Sequence, residues 1–124
     1  MNSHRHFLLF GAITGFLTVA FGAFAAHGLE NRLSAAMLTT FQTGVEYQGL
    51  HALALLMVGM LGRGVNTAGL SLAGWSFVVG ILLFSGSLYL LALTGTRWLG
   101  IITPFGGTAF LVGWAALAWH AYRA

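Results

Sequence analysis

The 124-residue sequence has no cysteine, no lysine and no aspartate, a single proline at Pro104, and only seven formally charged side chains: five arginines and two glutamates. The absence of cysteine excludes disulfides, thiolate zinc sites, iron–sulfur clusters and a cysteine nucleophile. Soluble domains carry about a quarter of their residues as charges. Seven charges cannot cover such a surface, and 6% charged residues against 58% hydrophobic place the chain in lipid. The formal net charge of +3 is not a nucleic-acid footprint, because Arg5, Arg32, Arg63, Arg97 and Arg123 are dispersed rather than gathered on one polar face. No nucleic-acid partner is expected; the first partner is the lipid bilayer.

What is present are long uncharged runs. Between Arg5 and Glu30 lie 24 residues without a formal charge, between Glu46 and Arg63 16, between Arg63 and Arg97 33, and between Arg97 and Arg123 25. A spanning helix needs about 20 apolar residues at about 1.5 Å each, so four spans fit, over 7–26, 43–61, 70–93 and 103–122. Lipid admits only helices or closed barrels, and no strand-length alternation with turns is present. The expected fold is an all-α membrane protein: a single four-transmembrane-helix bundle with a short interfacial amphipathic helix between spans 1 and 2. That short helix rests on Leu33, Met37 and Phe41 at four-residue spacing behind a capping Ser34; it lies at the interface before span 2 or merges into it. The fourth span starts at Pro104 behind Thr103, leaving Trp98 to Ile102 interfacial or re-entrant, or it starts at Trp98 and kinks at Pro104. The N-terminal apolar run, followed by Ala23-Phe24-Ala25, imitates a secretory signal but exceeds the usual h-region length, so it is expected to remain as span 1. An even number of spans puts both termini on one side. With three arginines there against two on the other, the termini are expected in the cytoplasm.

Glycine supplies 18 residues, and its placement is periodic. Gly11, Gly15, Thr18, Gly22 and Ala25 form a thin stripe on span 1; Ala73, Ser76, Gly80 and Ser87 on span 3; Gly106, Ala109, Gly113, Ala116 and His120 on span 4. In a bilayer, helices associate through the close contact that small residues allow, and a 3.5-residue period implies left-handed packing. The packing positions are therefore Gly11, Gly15, Gly22, Gly80, Gly106 and Gly113, holding this bundle together or forming a seam between copies. Phe10, Ile13, Leu17, Phe21 and Phe24, on the opposite side of span 1, suit lipid or a partner.

Placed by depth, the polar residues fall toward the membrane face that holds the first and third loops. They are His27, Glu46, Tyr47, Gln48, His51, Ser85, Ser87 and Tyr89, with Thr94 and Thr103 at the ends, and they define a candidate shallow ligand site. Glu46 is the one carboxylate inside a span, where an ionisable group pairs or faces a cavity; Arg32, Arg97 and His27 are its candidate partners. Tyr47, Gln48 and His51 share a helical face, and Glu46 points about 140° away from His51. His27 and His51 lack a third ligand at metal spacing, so no metal site and no cofactor is expected. Ser85 and Ser87 have no adjacent base and serve as helix–helix donors, so no catalytic residue is expected.

Four ordered blocks, FGAFAAHGL (21–29), EYQGLHALAL (46–55), LFSGSLYLLALTG (83–95) and ITPFGGTAFLVGW (102–114), resemble the signature blocks of the small YgdD/YwdK-type membrane proteins, relatives of the eukaryotic transmembrane protein 256. The matching positions are Gly22, Ala26, His27, Gly28, Tyr47, Gln48, His51, Ser85, Gly86, Ser87, Tyr89, Pro104, Gly106 and Gly107; Ala25 stands where the commoner form has glycine. The resemblance implies an integral protein of the bacterial inner (cytoplasmic) membrane with four spans, in a family of unknown function. It implies no activity. The expected role is non-enzymatic: a structural or accessory bundle that binds a lipid, another membrane protein or a second copy of itself. The alternatives are a small oligomeric transporter or channel using Glu46 and His51, with Tyr89 at its cavity, and, third, a haem- or quinone-binding protein.

Overall fold

The structure is a computed structural model that describes residues 4–65 and 67–123. Four helices run the length of a bilayer: α1 (His4–Leu29), α2 (Ala35–Leu61), α3 (Ala68–Thr94) and α4 (Thr103–Arg123), the last preceded by a 3₁₀ turn at Arg97–Ile101. No strand occurs among the described residues.

The helix ends follow local chemistry. Ser34 caps α2, its Oγ accepting from Met37 N at 3.2 Å, and Thr67 caps α3, accepting from Leu70 N at 3.3 Å. Gly95 closes α3 in the left-handed conformation at φ +70°, its N–H donating to Leu91 O at 2.8 Å. Of the two readings of the amphipathic stretch between spans 1 and 2, the structure shows the one in which it merges into span 2. Residues 35–42 are the first turns of one unbroken α2, and only the short stretch around Arg32 and Leu33 connects it to α1. Threonines there do not interrupt the helix, since Thr40 and Thr43 turn their hydroxyls back to the carbonyls of Ala36 and Thr39. Of the two readings of span 4, the α-helix starts at Thr103 with Pro104 in its first turn, where a missing N–H costs nothing.

The helices alternate in direction, so both termini lie at one end of the bundle. The central pair is α2 and α3, the most buried helices; α1 and α4 flank it on opposite sides. The predicted small residues at Gly80, Gly106 and Gly113 set the α3–α4 approach. A methyl group at Gly80 would strike the Phe110 ring, one at Gly106 the backbone of Phe84, and one at Gly113 the Phe77 ring. Gly11 does the same against Ala52 and Leu56 of α2, and Gly22 meets Val45 at ordinary contact distance. Gly15 is different from expectation: nothing stands within 4 Å of where its Cβ would be. Gly44, Gly59 and Gly74 were not on the expected stripes, yet the structure packs Tyr89, Leu8 and Phe7 against them.

Two of the long helices contain a widened π turn, at Ala25–Leu29 in α1 and Ile81–Ser85 in α3. The extra residue advances the face presented after it. In α3, at the end of this turn, Ser85 and Ser87 stand two residues apart and so on opposite sides of the helix, Ser85 addressing α2 and Ser87 addressing α4. The apolar core is divided into one cluster around Phe7, Leu55, Phe77 and Phe110 and another around Ala25, Leu29, Phe41 and Ala92. The buried polar residues lie between them.

Candidate functional site

Gln48 is the middle residue of the 27-residue α2 and is 3% exposed. Its amide Nε2 donates to the carbonyl of Thr14 on α1 at 2.9 Å, and its Oε1 accepts from the Tyr89 hydroxyl of α3 at 2.6 Å. One side chain thus ties three helices. Ser85, fully buried, donates to Gly44 O across the α2–α3 contact at 2.7 Å, an approach that requires glycine at 44 because a methyl there would meet the Tyr89 ring. Ser87 shares a 2.6 Å hydrogen bond with Thr103 at the start of α4.

His51 sits one turn from Gln48 and is 2% exposed. Its Nδ1 lies 2.7 Å from the carbonyl of Tyr47, which can only accept, so Nδ1 carries the proton. Nε2 then offers its lone pair, and the Trp114 indole of α4 donates to it at 3.0 Å. Both ring nitrogens are engaged and the imidazole is neutral. Phe110 stacks on the ring at 3.6 Å between centroids and 7° between planes, with Phe77 and Trp114 completing an aromatic box.

The eight predicted site residues therefore divide. Gln48, Tyr89, Ser85, Ser87 and His51 are brought into one belt of interhelical hydrogen bonds. Tyr47 adds its backbone carbonyl, while its half-exposed ring lies over Phe84 and Phe110. His27 and Glu46 are exposed and stand outside the belt. Among the described residues Glu46 makes no ion pair, so the expected pairing with Arg32, Arg97 or His27 is not formed. The depth assignment is corrected as well. With α2 beginning at Ala35, Gln48 and His51 lie at mid-depth, not in the first turns of a span. Because Glu46 points outward and His51 inward, the transporter reading loses its shared cavity. His51 and the exposed His27 are not placed to sandwich a haem, and no group of three or more His, Asp or Glu side chains among the described residues could hold a metal ion.

Sequence reading missed Thr14, Gly44 and Trp114. Trp114 carries a signal, being the indole one helical turn beyond Phe110 on α4. The partner of Gln48 is a backbone carbonyl of Thr14, which no side-chain pattern announces.

Between α1 and α3 a cavity of about 350 Å³ opens toward the membrane. Phe10, Ile13, Leu17, Phe21, Ile81 and Leu82 wall it, and Thr14, Gln48 and Tyr89 form its floor with their polar groups already engaged. At the terminal end, Thr67 bonds His120 at 3.0 Å and Arg123 lies over Trp119 at 5.1 Å.

Residues 21–107 match the family model described as protein of unknown function (DUF423). The chain is 46% identical over 111 residues to the UPF0382 membrane protein SSP2132 of Staphylococcus saprophyticus, covering 90% of this chain and 92% of the relative. It is similar to the UPF0382 membrane protein YwdK of Bacillus subtilis, 46% identical over 109 residues (87% and 89%). It is also similar to the UPF0382 inner membrane protein YgdD of Escherichia coli, 41% identical over 119 residues (96% and 91%). No solved structure matches the chain.

Proposed function

The chain belongs to the DUF423 family of membrane proteins, and from that premise we propose that it is a non-enzymatic accessory bundle of the inner membrane, its termini cytoplasmic, acting through the surfaces it turns outward. The observation that carries this reading is the closure of the polar belt. Gln48, His51, Ser85, Ser87 and Tyr89 each spend their hydrogen-bonding atoms on another helix or on local backbone, which leaves little to orient a substrate. Three arginines at the terminal end, Arg5, Arg63 and Arg123, against Arg32 and Arg97 support the sidedness. The test is affinity isolation from native membranes in mild detergent. A protein or lipid is expected to accompany the chain reproducibly; isolation as a lone monomer with neither would overturn the proposal.

A second reading, a lipid acyl chain held in the α1–α3 groove, is favoured by that cavity's apolar walls. A Cβ at Gly86, which lines the groove, would meet nothing within 4 Å. The Cβ of Gly86→Leu therefore enters open space, and the rest of its side chain projects from the groove lining. Native mass spectrometry is expected to show loss of bound lipid from this variant at undiminished thermal stability; retained lipid would count against the groove.

A further inference from the structure

Glu46 occupies a place its surroundings do not explain. Exposed Trp98 and Trp119 stand 21 residues apart on the 3₁₀–α4 segment, about 32 Å at helical rise, which matches the hydrocarbon thickness with an aromatic residue at each boundary. The helix contacts carry this depth scale to α2. Gly44 abuts the carbonyl of Ser85, and Gly106 abuts the backbone of Phe84. Glu46, two residues deeper than Gly44, is thus level with the residues just after Gly106 on α4, about 13 Å inside the Trp98 boundary. Exposed Phe24, Leu90, Ile101 and Phe105 lie between this level and the loop end, so hydrocarbon continues past it. A carboxylate facing hydrocarbon at that depth is costly, and such groups pair.

Among the described residues no cation stands there. Val45 meets Gly22, so His27 sits five residues, about 8 Å, nearer the interface; Arg32 lies in the α1–α2 connection and Arg97 beyond the end of α3. A second copy in the same orientation would bring only another Glu46 to this level. Glu46 stands on an unpartnered face of α2 with Gln42, Leu50, Leu53, Met57 and Met60, all exposed and spaced by three or four residues along nearly the whole helix.

We propose that this α2 face docks a transmembrane helix of another protein that carries a lysine or arginine at the depth of Glu46. Charge complementarity selects the partner and Leu50, Leu53 and Met57 supply the contact on either side. The inference rests on the accessory-bundle reading and names the partner's chemistry.

The test uses the full chain in phosphatidylcholine vesicles, labelled with a donor at a cysteine replacing Arg63. The probe is an acceptor-labelled leucine-rich transmembrane peptide with one lysine placed level with Glu46; the control is the same peptide with leucine instead. Energy transfer is expected to show the lysine peptide associating on the order of ten-fold more strongly, with the advantage lost in Glu46→Gln and transferred to a glutamate-bearing peptide in Glu46→Lys. Because Glu46→Gln is nearly isosteric and exposed, its thermal stability is expected to match the parent and serves as the folding control. Equal association of the two peptides, or a lysine preference that survives Glu46→Gln, would overturn the proposal. So would transfer between two labelled copies that Glu46→Gln abolishes, since that makes the occupant a second copy. Failure here leaves the co-isolation result from native membranes standing, and failure there leaves the lysine preference standing, so the two readings fail separately.

Discussion

His51 shows how much a single buried side chain is asked to do. It bridges α2 to α4 through the Trp114 indole, fixes its own tautomer against the Tyr47 carbonyl, and stacks on Phe110. Trp114→Phe keeps most of the aromatic packing and removes one interhelical hydrogen bond, which costs about 0.6 kcal/mol on average and up to about 1.7 kcal/mol in a membrane protein. His51→Ala removes the stack as well and opens a void, so its cost should be larger, about 2–4 kcal/mol. Unfolding titrations in mixed micelles should rank the two variants in that order; a Trp114→Phe loss equal to that of His51→Ala would mean that the indole contact, not the aromatic box, dominates. Glu46 is the opposite case. Its place inside a span was legible as a charge flanked by apolar residues, but its direction was not, because α2 has neighbours on several sides and hydropathy does not say which side is left open.

At the scale of the helix, small residues were partly legible. Gly106 and Gly113 fall on one heptad phase because α4 uses a single face against α3, and a single face is what periodicity reports. Gly44, Gly59 and Gly74 escaped notice because α2 and α3 each contact more than one helix, which spreads their small residues over several phases. Gly15 followed the period of span 1 yet nothing stands within 4 Å of where its Cβ would be. Two alanine substitutions separate these cases. At Gly106 the new methyl meets the Phe84 backbone, which cannot yield, and a loss of about 1–3 kcal/mol is expected from overpacking. At Gly15 it meets nothing, and Gly15→Ala should be neutral or stabilising by up to about 1 kcal/mol through helix propensity. A large loss at Gly15 would place an unseen helix against it. The helix α2 begins at Ala35, ahead of the apolar span expected from residue 43, because threonines at 39, 40 and 43 lower hydropathy without opposing the helix, the hydroxyls of Thr40 and Thr43 bonding back to it.

For the molecule as a whole, charge distribution announced the four spans, and an even count of alternating helices brings the termini together. The proposed sidedness rests on the arginines alone. The native chain has no cysteine, so single cysteines at Arg63 and Arg97 report it cleanly. A membrane-impermeant maleimide should label Arg63→Cys only in inverted vesicles and Arg97→Cys only from outside intact spheroplasts. The reverse pattern would invert the topology, and labelling of both from one side would contradict the four-span fold. What no sequence pattern could announce is that the polar residues gathered by depth are mostly committed to one another, since that depends on the distances between helices. The belt lies between two apolar clusters with its hydrogen-bonding atoms largely engaged, which is what supports the proposed accessory role.

That commitment is tested most directly by a double-mutant cycle on Gln48 and Tyr89, measured as unfolding free energy in mixed micelles with no ligand added. Residues that hold helices together lower stability when removed, whereas residues kept for a ligand often raise it. Gln48→Leu and Tyr89→Phe are predicted each to destabilise, with a coupling energy of about 1 kcal/mol for the shared hydrogen bond. Zero coupling together with a more stable Gln48→Leu would show that the belt is a vacant binding site and contradict the account.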